Sequence, residues 1–196
     1  NEEPIKAIKK MKQTDNFKFD EANVMNELVY RNLSEDAKRQ ICAWKYGGEY
    51  DLYNLPSYEE MQVRQIGFMN PKSEKNYYGF WDESILVGFV NILEEKEEVF
   101  IGIGVNPDLC NKHYGQRMLL IAYEISKKLY PNKPLYLEVR TWNTRAVKCY
   151  EKAGFRIDGQ AYELTTGIGT GTFYRMIREL SLIHISEPTR QEAISY

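Results

Sequence analysis

The stretch 135–155 reads LYLEVRTWNTRAVKCYEKAGF. Leu135, Leu137 and Val139 make its first part a buried strand, apolar as a strand is when helices cover both faces of its sheet. Asn143 then stands before a helical run, where its side chain can cap the first turn. The run ends at Gly154, a residue suited to the left-handed conformation that stops a helix. Phe155 starts the next strand. A tyrosine, Tyr150, sits in the last turns of the helix.

Outward from this core, the chain reads as an ordered set of elements. A strand is expected over 28–33, then a helix capped by Ser34 with Glu35 and Asp36 in its first turn and Ala37, Ile41 and Trp44 on one face. Gly47 and Gly48 end it. Residues 50–55 are an aromatic linker without a clear period. Ser57 caps a second helix with Met61 and Ile66 as core candidates, and Asn70-Pro71 breaks it. Strands follow at 77–81, 85–93 and 99–105, with acidic turns between them. The longest helix is expected over 115–130, with Met118, Ala122, Ile125 and Leu129 as its apolar stripe. After the strand at 134–139 and the helix at 144–153, strands are expected at 155–159 and 172–178, with GIGTG at 167–171 as the turn between the last two. This order gives an α/β (α+β) fold, a central mixed sheet with helices on both faces.

The run Asn-x-x-Ala-x-x-x-Tyr-x-x-x-Gly-Phe after a Leu-x-Leu-x-Val strand resembles the C-terminal half of the GNAT superfamily of N-acetyltransferases. The resemblance extends over 26–179. It implies an enzyme that moves an acetyl group from acetyl-CoA, as co-substrate and without a metal, to a primary amine by direct attack in a ternary complex. It also implies that β-strand 99–105 and the next parallel strand splay apart, with the acyl arm in the gap.

Each functional part has a residue set. The coenzyme pyrophosphate needs unpaired backbone N–H groups at a helix N-terminus. Here that is the loop Cys110, Asn111, Lys112, His113, Tyr114, Gly115 and Gln116, which resembles the family's Gln/Arg-x-x-Gly-x-Gly/Ala signature. His113 stands at the first Gly position and Cys110 at the Gln/Arg position. Lys112 and Arg117 can add charge. The thioester arm is expected along Ile103, Gly104 and Val105, where Gly102 and Gly104 leave one strand face bare. Asn143 and Ala146 flank the arm. Tyr150 matches the family's proton-donor position, and a phenol is protonated at neutral pH. Cys149 is expected on another face, as a small core residue. The general base is not identified: Glu98 reads as part of an acidic turn and Glu138 as a hydrogen-bonded group. An acceptor pocket is expected from Trp44, Tyr46, Tyr50, Tyr53, Tyr58 and Trp81, with Glu49, Asp51, Glu59 and Glu60 near enough in sequence to draw a cation.

Composition narrows the rest. The net charge of −2 gives no basic field for nucleic acid. No apolar run approaches the roughly 20 residues of a membrane helix. The three cysteines, Cys42, Cys110 and Cys149, fit reduced thiols in a cytoplasmic protein. The expected acceptor is a small-molecule amine, with no nucleic-acid and no membrane partner, and a homodimer stays open. The other functional class is a non-catalytic acyl-CoA-binding sensor or interaction module of the same fold, towards which His113 leans.

The ends are read separately. Residues 1–24 are an extension of uncertain origin, before Met25 and a run that reads as a domain start. The acyl-CoA N-acyltransferase domain is expected over 25–180. Leu180 to Arg190, LSLIHISEPTR, resembles the translated transposase adapter used in preparing DNA sequencing libraries. Residues 181–196 are therefore expected to be an artefactual, dispensable and poorly ordered tail, and His184 within it takes no function.

Overall fold

Ser34 opens the first helix, its hydroxyl accepting the Ala37 N–H at 3.2 Å. This helix, α1 (Glu35–Ala43), follows strand β1 (Val29–Asn32). Ser57 caps α2 (Tyr58–Arg64) in the same way. The intervening linker forms a 3₁₀ turn, Gly48–Tyr53. The structure is a computed structural model and describes residues 27–180. The expectations for both ends, the extension and the adapter-like tail, lie outside the described residues.

Strands β2 (Tyr77–Asp82), β3 (Ile85–Glu94) and β4 (Val99–Val105) form an antiparallel meander beside β1. Helix α3 (Tyr114–Leu129) carries the chain to β5 (Leu135–Arg140), and α4 (Thr144–Lys152) carries it to β6 (Arg156–Ile157), β7 (Tyr162–Thr166) and β8 (Gly169–Arg178). The result is an eight-stranded mixed sheet in the order β1-β2-β3-β4-β5-β8-β6, with β7 also paired to β8.

Side chains alternate between two cores, as strand geometry requires. On one face Val87, Val90, Ile101, Leu135, Leu137, Val139 and Met176 pack under α3 and α4, against Met118, Leu119, Ala122 and Ala153. On the other, Leu86 and Trp81 pack against Ala37 and Ile41 of α1 and Met61 of α2. Helices thus cover both faces.

Three details differ from the sequence expectation. Leu129 is 49% exposed and lies outside the α3 stripe. The strand expected over 155–159 is only the two residues of β6. Strand β7 is additional, and β8 begins inside the glycine-rich segment, so the turn is shorter than GIGTG. The β7–β8 hairpin is held by a backbone ladder from Tyr162↔Phe173 to Thr166↔Gly169 while β7 keeps its side chains half-buried or exposed. Its alternation is short and weak, with Tyr162 and Leu164 only half-buried between exposed Glu163 and Thr165.

The relation between β4 and β5 positions the site. They pair in parallel only at Val99↔Leu135 and Phe100↔Tyr136, then diverge. The Val99 N–H points to this side, bonding the Pro134 carbonyl at 2.9 Å. By strand alternation the N–H groups of Ile103 and Val105 point the same way, into the opening.

Candidate active site

The opening between β4 and β5 continues into a cavity of about 600 Å³. One end is walled by the start of α3 and by α4, through Gly115, Gln116, Cys149 and Tyr150. The other is walled by Trp44, Tyr46, Tyr53, Leu55 and Phe173. The cavity therefore reaches both sides of the sheet.

The sequence-predicted residues converge on it. Ile103, Gly104, Val105, Cys110, Asn111, His113, Tyr114, Gly115, Gln116, Asn143, Ala146 and Tyr150 all line the cavity, and Lys112 does not. His113 is left-handed, with φ 63°, as the glycine it replaces would be, and Asn111 has the same φ of 63°. Such residues tolerate this region better than most. His113 makes no side-chain cap, so the first N–H groups of α3 stay unclaimed from within. The ladder begins at Arg117, whose N–H bonds the His113 carbonyl at 3.2 Å. Gly115 is required by close approach: a Cβ there would lie 2.9 Å from Cys149 Sγ. Cys149 consequently packs at the α3–α4 contact beside the cavity, which corrects its assignment to another face. Burial pushes its thiol above the ordinary range.

Asn143 is the expected cap. Its Oδ1 accepts the Ala146 N–H at 3.1 Å, and its Nδ2 donates to Tyr53 Oη at 3.3 Å. Tyr150 faces the cavity. Burial pushes its hydroxyl well above the usual phenol value, neighbouring Cys149 and Tyr53 add to this, and the Arg145 guanidinium opposes it. Tyr114 turns its hydroxyl away, donating to Asp82 Oδ2 at 2.7 Å.

On the acceptor side the aromatic wall is narrower than expected. Trp44, Tyr46 and Tyr53 line the cavity, whereas Tyr58 and Trp81 belong to the core under α1 and α2. Tyr50 packs instead on Trp142, ring centroids 5.5 Å apart. The acids Glu49, Asp51, Glu59 and Glu60 do not line the cavity, because their elements turn them outward. Nor is the face at Gly104 bare, since the Phe89 ring fills the space a Cβ would take. Gly102 leaves more room, with no atom closer than 3.5 Å to a Cβ placed there.

Two pairings of residues already named, Tyr46 and Glu138, and one further lining residue, Arg140, were not read from sequence. Tyr46 Oη donates to the Val105 carbonyl at 2.6 Å, tying the segment after α1 to the end of β4. Glu138 is the one acidic residue along the cavity among the described residues, and it accepts from Tyr162 Oη at 2.7 Å. Arg140 lines the cavity two residues further along the same strand face. The signal for Arg140 is a second charge, after Glu138, on the same face of a strand whose other face is apolar. Glu98 is held by Arg175, which also bonds Asp158, and lies outside the cavity. No group of side chains among the described residues is arranged to hold a metal ion. No described helix is long and apolar enough to cross a membrane.

The fold is thus an α/β one with a splayed parallel strand pair, an open helix N-terminus beside it and a cavity that reaches both faces of the sheet. The sequence model described as the acetyltransferase (GNAT) family matches residues 38–155, more than half of the chain, and the chain belongs to that family. Among solved structures it is similar to a spermidine N-acetyltransferase chimera from Vibrio cholerae (TM-score 0.62, 21% identity, covering 77% of this chain and 94% of that one). It is similar also to the Vibrio cholerae spermidine N-acetyltransferase in complex with CoA and spermine (TM-score 0.61, 20% identity, 76% and 94% covered). A GNAT-family acetyltransferase from Bacillus anthracis aligns comparably (TM-score 0.60, 17% identity, 78% and 95% covered). At these identities the likeness is one of fold. No curated protein matches the chain.

Proposed function

We propose that residues 25–180 form a cytoplasmic N-acetyltransferase that moves the acetyl group of acetyl-CoA to a primary amine of a small molecule. The observation that carries this is the convergence of Tyr150, the divergent β4 edge and the open α3 N-terminus on one cavity.

Acetyl-CoA, as co-substrate, supplies an acyl group activated by its thioester. The residues present fit it. The N–H groups of Tyr114, Gly115 and Gln116 form an anion site for the pyrophosphate, with the left-handed Asn111 and His113 shaping the loop before them. Gly115 keeps the approach clear. The N–H groups of Ile103 and Val105 face the opening left by β5, where they can pair with amides of the pantetheine arm. One of them is placed to stabilise negative charge on the thioester carbonyl oxygen.

In the reaction the amine nitrogen bonds to the carbonyl carbon and the carbon–sulfur bond breaks. Tyr150 gives its hydroxyl proton to the departing sulfur. Its raised pKa keeps it protonated until that moment. It regains a proton from the amine nitrogen, which loses its second proton as the amide forms. The ammonium proton of the amine must leave first, and Glu138 is the carboxylate on the cavity wall to receive it, directly or through water.

The rival is an acyl-CoA-binding module without turnover. The departure that favours it, His113 for glycine, holds the backbone that a glycine would hold. The two readings separate by titrating acetyl-CoA and then measuring CoA-thiol release across a panel of primary amines. Turnover on any of them supports transfer. Tight binding without turnover on all of them supports the module.

A further inference from the structure

Arg140 carries a buried charge that acetyl transfer as described does not use. It is 8% exposed. Its Nη1 and Nη2 donate to the Thr170 and Gly169 carbonyls at 3.4 and 3.3 Å, long for such bonds. Its Nε has no hydrogen-bond partner among the described residues. None of the ion pairs among the described residues includes it.

Its neighbours sharpen the contrast. Arg175, one strand away, is neutralised by Glu98 and Asp158. Glu138, two residues before Arg140, is engaged by Tyr162. The Phe173 ring lies against the guanidinium, 4.9 Å from its centroid, and closes that side. Arg140 is thus left as a buried cation with no counter-ion among the described residues, which is costly unless a ligand provides one.

Position decides which ligand. Leu135, Leu137 and Val139 face the core under α3 and α4, so Tyr136, Glu138 and Arg140 face the other side of the sheet. That is the side of Trp44 and Phe100, away from the α3 N-terminus. The charge therefore serves the acceptor half of the cavity, not the coenzyme phosphates. Arg145, above the Tyr50 ring at 4.0 Å, also makes no ion pair among the described residues and adds positive potential to the wall. A polyamine would meet this field unfavourably.

We propose that Arg140 receives the carboxylate of the acceptor, so that the accepted amine is a small amino acid or another amine bearing a carboxylate. A guanidinium binds a carboxylate through paired charge-assisted hydrogen bonds, and Arg140 Nε is a donor still to be satisfied. The inference rests on the acetyl-transfer reading and adds the substrate class to it.

The test is CoA-thiol release with matched acceptors: a set of α-amino acids, their carboxamides, spermidine, and phosphoethanolamine. At least one amino acid should exceed its carboxamide in kcat/KM by about 10–100-fold, the size of a charge-assisted bond. Arg140→Met should bring that ratio close to one, mainly through a rise in the KM of the amino acid, and Arg140→Lys should restore part of it. Equal use of acid and carboxamide, preference for spermidine, preference for phosphoethanolamine, or an unchanged ratio in Arg140→Met each overturns the proposal. Silence with every amine would instead count against acetyl transfer. Binding then decides the carboxylate question: amino acids should raise the Tm of the CoA-loaded chain but not of folded Arg140→Met. No rise in the unsubstituted chain would overturn the assignment.

Discussion

The backbone N–H of Phe155 donates to the carbonyl of Tyr150 at 3.0 Å, while Gly154 N–H bonds Glu151 at 2.9 Å. These two bonds close α4 as a Schellman motif. They explain the fixed spacing of Tyr, Gly and Phe at the end of the diagnostic stretch. The residue facing the cavity sits on the turn whose carbonyl the motif seals, and Phe155 is buried immediately afterwards. Local backbone chemistry and the orientation of the proposed proton donor are thus one feature.

Gly154→Ala tests that feature. Gly154 has φ 89°, and a Cβ there would lie 3.1 Å from Arg178 Nε. Left-handed strain of this kind costs about 1–2 kcal/mol. In a domain of this size each kcal/mol lowers Tm by roughly 2–4 °C. Thermal unfolding should show that decrease. An unchanged Tm would mean that the motif does not fix the helix end.

The contact between Gly115 and Cys149 gives a second prediction. Gly115→Val overpacks the α3–α4 contact, at a cost of about 1–3 kcal/mol, and should weaken acetyl-CoA binding because the same turn carries the anion site. In a Cys149→Ala background the obstructing sulfur is gone, and much of the loss should disappear. A double-mutant cycle by thermal unfolding and acetyl-CoA titration measures this. Equal costs in both backgrounds would show that the two residues do not meet.

Much of this was legible in advance because it was periodic or capped. Ser34, Ser57 and Asn143 announce their helices, and each accepts the hydrogen bond expected of it. The loop before α3 was readable even with His113 in a glycine position. What escaped notice lacked a local signature. Strand β7 is a half-exposed partner in a hairpin, held by backbone bonds that sequence does not display. Tyr46 meets Val105 across 59 residues, a pairing set only by the tertiary fold. Arg140 closes a strand whose apolar run suggested an end one residue earlier.

Alkaline pH gives a third prediction, with a definite sign. Burial, and then its bond to Glu138, push the Tyr162 hydroxyl up to about 12. An unfolded tyrosine ionises near 10. Above that value the unfolded chain binds fewer protons than the folded one, so stability must fall as pH rises. The contribution is intact below pH ~10 and is lost as pH climbs towards the folded value. Urea unfolding between pH 8 and 11 should show a flat region and then a decline, and the decline should be shallower in Tyr162→Phe. A decline of equal steepness in the variant would assign it to other groups.

The most direct test of the central claim is the rate of CoA-thiol release by Tyr150→Phe on a good acceptor at saturating acetyl-CoA. The substitution removes the hydroxyl and keeps the ring that packs against the core. General acid catalysis contributes about 10²–10⁴-fold, so kcat should fall within that range while the Kd for acetyl-CoA stays near that of the unsubstituted chain. Turnover at the unsubstituted rate would contradict the account, leaving Tyr150 as a packing residue and the sulfur to take its proton from elsewhere.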